Sequence, residues 1–107
     1  MSTIYRQGDV MLERISDQDV GEEIARDAGR IVLAYGEVTG HAHAIHDEGA
    51  TLFRAKEAAN ADTFLRVVRP VALTHEEHSR IPLVPGLYRV RRQREWTDEN
   101  EPIQVAD

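Results

Sequence analysis

The chain contains no cysteine. Disulfides and thiolate chemistry are thereby excluded, and any metal it binds must be held by nitrogen and oxygen donors. Aromatic residues are scarce, with one tryptophan, two phenylalanines and three tyrosines among 107 residues. No long apolar run is present, so nothing in the sequence reads as a membrane-spanning helix. Residues 1–10 lack the apolar stretch and small-residue cleavage site of a signal peptide, and a cytoplasmic protein is expected. No glycine-rich phosphate loop appears, and Ser2, Ser16 and Ser79 have no glycine elbow around them. A net charge of −6 argues against gripping a nucleic-acid backbone with the whole surface.

What is present fits one small globular unit. Hydrophobic residues make up 41% and charged residues 30% of the chain, which leaves room for one core and little for a second. We expect a single β-rich domain over 1–107, with the acidic, Pro102-containing residues 97–107 as a surface extension. Short alternating runs punctuated by glycine and proline recur along the sequence. Residues 10–15, 30–35, 38–45, 50–54, 63–68 and 87–96 read as strands, and 71–73 as the continuation of one after Pro70. Residues 6–9 read as a turn and 16–29 as a loop. Residues 55–61 have helical propensity, but Asn60-Ala61-Asp62 marks a turn between strands. Thr74 and Glu77 have capping-box spacing, which predicts a turn of helix cut short by Pro82. Six or seven short strands with almost no helix imply a small antiparallel β-barrel or sandwich.

All five histidines fall in two places. His41, His43 and His46 lie between Gly40 and Gly49, beside Asp47 and Glu48, while His75 and His78 flank Glu76 and Glu77. In an extended segment His41 and His43 project to the same face, and His46 to the other. Imidazoles with a carboxylate are a usual donor set for a divalent ion in the absence of thiolates, so His41, His43 and Glu48 are candidate ligands. On a helical turn His75 and His78 share a face, and they are the candidates to complete the shell. Glu76 and Glu77 could then fix an imidazole tautomer from outside it. The competing reading is a polar hairpin and a capped turn whose histidines are solvated or hydrogen-bonded to backbone.

Gly36, His41, His43 and Glu48 resemble the first motif of the cupin superfamily, a glycine followed by H-x-H and a glutamate. The resemblance implies a cupin or jelly-roll-like barrel and a bound divalent metal, with Zn, Fe, Mn and Ni as candidates. The second cupin motif is degenerate: Pro85 and Gly86 are adjacent, and Arg89 occupies the place of its histidine.

A third feature is the run containing Arg89, Arg91, Arg92 and Arg94, with Tyr88 or Trp96 available for stacking. It is a candidate anion or RNA surface. A self-neutralising strand or a subunit interface is the alternative reading. Three functions follow as expectations. The first is a metal-binding cupin-like protein, with an enzymatic step on a small polar substrate open. The second is a homo-oligomerising or partner-binding module with a structural histidine cluster. The third is an RNA-associated module.

Overall fold

Alternation of apolar and polar side chains sets the architecture. The computed structural model describes residues 3–35, 41–57 and 59–92. Its strands are β1 (Ile4–Gln7), β2 (Val10–Ile15), β3 (Ile31–Tyr35), β4 (Ala42–Ile45), β5 (Ala50–Arg54), β6 (Thr63–Val67), β7 (Val71–His75), β8 (His78–Leu83) and β9 (Gly86–Arg92). Every pairing among the described residues is antiparallel. One sheet has the order β1-β2-β9-β6-β5 and the other β3-β4-β7-β8. They form a small β-sandwich; among the described residues neither sheet closes into a barrel.

The core lies between the sheets. Leu12 stands opposite Val90 and Leu65 opposite Tyr88, so the inward faces of β2, β9 and β6 stack as continuous apolar rows. Leu33, Ile45, Leu73 and Leu83 face them from the second sheet. A one-residue slip would turn each row outward, and a buried Leu or Val contributes about 1.5–3 kcal/mol. Burial of the rows therefore fixes the register. Tyr88 is fully buried, and its hydroxyl donates to Val84 O at 2.6 Å. Burial pushes that phenol up to about 12. It is a core residue and is not available for stacking on a base, which corrects the expectation drawn from the arginine strand.

Two elements differ from the sequence reading. The first is β1, whose last residues fall where residues 6–9 were read as a turn; only Gly8 and Asp9 turn the chain, and Gln7 pairs with Val10. The second is the expected helical turn at Thr74, which is instead the tip of a β7–β8 hairpin, with His75 opposite His78. Pro82 is accommodated because β8 is an edge strand, where a missing N–H costs no ladder bond. Ile81 and Leu83 still alternate inward on either side of it.

The loop over residues 16–29 does not simply wander. Gly21 N and Ile24 N donate to Arg54 O and Leu52 O, and Arg54 N donates to Glu22 O, each at 2.8 Å. It thereby covers the open edge of β5, a common guard against edge-to-edge association. At residues 60–62, Asn60 Oδ1 accepts from Asp62 N at 2.9 Å, forming the expected turn. The described part of the 38–45 candidate strand begins pairing at Ala42. Residues 36–40, which include Gly36, and residues 93–107, which include Arg94, Trp96 and the expected surface extension, lie outside the described residues.

Candidate metal centre

Register brings the two histidine groups together. Ala44 pairs with Thr74 across β4 and β7. Counting toward the hairpin tip sets His43 beside His75, Ala42 beside Glu76 and His41 beside Glu77, since opposite residues of an antiparallel pair share a face. The side chains agree. The His43 and His75 ring centroids are 4.3 Å apart, Ala42 N donates to Glu76 Oε1 at 3.0 Å, and His41 Nδ1 lies 3.4 Å from Glu77 Oε2.

His78 joins through an irregularity. Leu73 pairs with Ile81 but His75 with His78, so β8 carries one extra residue over that interval. Such a bulge re-aims the side chains that follow it. It sets His78 directly across from His75, with ring centroids 4.7 Å apart, and 5.7 Å from His43. One ring nitrogen from each of His43, His75 and His78 lies within 4.8 Å of the others, and His41, His75 and Glu76 form a second such group. Ligand nitrogens at about 2.0–2.1 Å from a tetrahedral Zn stand about 3.3 Å apart, so side-chain shifts of about 1.5 Å suffice to close the shell.

Gln7 holds the back of the site, and its role was not anticipated from sequence. The residue is fully buried, and its amide nitrogen donates to Leu73 O at 3.1 Å and Ser79 O at 2.9 Å. Those two carbonyls fix which end of the amide is which. Its oxygen therefore faces His43 Nδ1, 2.9 Å away, and can only accept. His43 is thus held with its hydrogen on Nδ1 and a lone pair on Nε2, the arrangement that a metal-ligating imidazole needs. Burial lowers the His43 pKa to about 4, with the neighbouring His75 and His78 adding to the effect. The ring is neutral at ordinary pH.

His75 is set differently. Glu77 N donates to its Nδ1 at 3.0 Å, so the imidazole hydrogen sits on Nε2. Metal taken up through Nδ1 would consume that lone pair. Taken up through Nε2, it would move the hydrogen to Nδ1, facing another N–H. Either way, ligation by His75 and the Glu77 hydrogen bond exclude each other. Burial also lowers the His75 pKa, while the Ala42 amide, the segment's own backbone and the nearby histidines hold the Glu76 carboxyl below its usual range.

Gly8 explains how the rings fit. A Cβ on it would stand 2.7 Å from His78 Nε2 and 3.2 Å from His43 Cε1, and its φ is +54°. Glycine is needed here on both counts. Gly8→Ala is expected to lower stability by about 1–3 kcal/mol, through backbone strain and displaced rings. The midpoint of urea unfolding measures it.

The remaining candidates do not join the cluster. Glu48 lies exposed in the β4–β5 turn and His46 is exposed just after β4; neither belongs to a ligand group. Arg89 is engaged by Glu13 at 3.6 Å and Asp62 at 3.7 Å. Arg92 Nε donates to Leu33 O at 2.7 Å, the residue at which β3 bulges out of register with β4. It caps a carbonyl that the bulge would otherwise leave without a ladder partner. Arg89 and Arg91 border a shallow groove of about 260 Å³ that also includes Asp62, an acid that opposes anion binding there.

The structure therefore defines a two-sheet β protein with four histidines gathered at one sheet end. The chain belongs to the family DUF8820, a domain of unknown function, whose model matches residues 6–93. No curated protein and no solved structure matches it. Among the described residues no helix is long and apolar enough to cross a membrane.

Proposed function

We propose that this domain binds one divalent transition-metal ion through His43, His75 and His78. The observation that carries the reading is the meeting of histidines more than thirty positions apart in sequence, with the His43 and His75 rings 4.3 Å apart. Three like imidazoles in contact disfavour one another when protonated, and one of them is already held in a ligating tautomer by a buried amide. Neutral nitrogen donors suit Zn, Ni and Fe better than Mn. A three-nitrogen shell leaves positions for water or a small polar ligand, as catalytic sites do. The H-x-H strand resembles the cupin motif in this proposal but gives one ligand, His43, to the ion, while the β7–β8 hairpin supplies the other two.

Elemental analysis of untagged protein tests this directly. One ion per chain is expected, with loss of binding in a His43→Ala/His78→Ala variant that keeps its β circular-dichroism spectrum. Titrating Zn into metal-free protein should also move the Glu77 amide resonance strongly, because its acceptor is taken. Wild-type protein that takes up none of Zn, Ni, Fe or Mn overturns the proposal.

A further inference from the structure

Exposure rises in one direction across the cluster. His43 is only 4% exposed and backed by Gln7, and Gly8 packs against the rings of His43 and His78. His75 and His78 are half-buried, the His41 side chain is 24% exposed, and Glu76 is exposed. The two ligand groups are therefore not equivalent. One is inner and made wholly of nitrogen donors; the other is outer and carries a carboxylate. His75 belongs to both.

We propose that His41, His75 and Glu76 form an entry station, from which His75 passes the cation inward to His43 and His78. This rests on the metal-binding reading above. Glu76 is shaped for the task. Its Oε1 is held by Ala42 N at 3.0 Å, which fixes the carboxylate beside His41. A negative group at a site mouth raises the rate at which cations arrive. The His41 and His75 rings, 5.8 Å apart and edge to face, flank the same approach. An ion held by His75 can exchange Glu76 and His41 for His43 and His78 one ligand at a time, without returning to water. Because one imidazole serves both stations, they hold one ion between them rather than two.

The test is the kinetics of Zn uptake by metal-free protein, followed by stopped flow against a fluorescent Zn indicator. Glu76→Gln keeps an oxygen for Ala42 N and removes the charge; His41→Gln is the second variant. Each is expected to slow both uptake and release about tenfold, leaving the equilibrium affinity within about threefold and the stoichiometry at one. Wild-type rates in both variants would overturn the entry station while leaving the metal centre standing. So would an affinity loss as large as that of His78→Ala, which would make the outer residues ligands of the final site, or a stoichiometry of two. Absence of any uptake by the wild type would instead remove the metal reading itself.

Discussion

Gln7→Leu is expected to destabilise the domain by about 2–4 kcal/mol and to weaken metal binding about ten- to a hundredfold. The substitution keeps roughly the same volume but removes three hydrogen bonds at once, two of them buried. Leu73 O and His43 Nδ1 lose their partner in buried surroundings, and Ser79 O loses its partner in a part-buried setting. The stability term comes from stranding those groups, because a buried polar atom without a partner bears its full desolvation cost. The affinity term has a separate origin. Without an acceptor at Nδ1 the His43 hydrogen is free to move to Nε2, blocking the atom that should ligate. Gln7→Glu separates the two effects. A carboxylate still accepts from His43, but it faces the Leu73 and Ser79 carbonyls with nothing to donate. It should therefore lose stability while retaining more of the affinity than Gln7→Leu. Urea unfolding and competition with a Zn indicator measure the two quantities, and nitrogen shifts of His43 report its tautomer. Wild-type affinity in Gln7→Leu would show that the amide does not set the ring.

How much of this could be read from the sequence differs from one element to the next. The central strands were legible because period-two alternation and core burial point the same way at Val10 and Leu12, or Tyr88 and Val90. His41 and His43 were legible as a pair for the same reason. The β7–β8 hairpin was not. Thr74 and Glu77 have the spacing of a helix cap, a local preference, whereas pairing of β7 with β4 and β8 is a long-range gain that overrides it. Ile81 and Leu83, alternating across Pro82, were the signal for β8. The bulge that sets His78 opposite His75 has no residue signature here; a register shift is decided by what both strands bury. Gln7 was hidden by its neighbours, since Gly8 and Asp9 read as a turn and drew it in. Its inward parity with Tyr5 on β1, a polar side chain where an apolar one is expected, was the available clue. Glu48 is near the histidines only in sequence. The hairpin that should have brought it to His43 points it into solvent instead, while Glu76, given only an outer role, arrives from across the sheet.

The metal-free domain should lose stability as the pH falls from about 6.5 to about 4. His43 has a folded pKa of about 4, below the value of about 6.5 for an unfolded histidine. Above the upper value the ring is neutral in both states, and pH has no leverage through it. Between the two, the unfolded chain takes up a proton that the folded chain refuses, so each step down in pH favours unfolding. Below the folded value both states are protonated and the loss is complete, at up to about 3 kcal/mol. The downward shift of His75 acts in the same direction. Glu76 behaves oppositely in sign of charge but not in trend: its carboxyl is held below its ordinary range, so its contribution fades only as the pH drops through the usual carboxylate range. The upper part of the window therefore belongs to the histidines. Urea midpoints at pH 7.5, 6.0 and 5.0 should fall in order, and His43→Leu should flatten the dependence whatever it does to absolute stability. Bound Zn should steepen it, because protons and metal compete for the same nitrogens. A metal-free wild type whose midpoint stays level from pH 7.5 to 5.0 would mean that burial does not hold His43 neutral through that range.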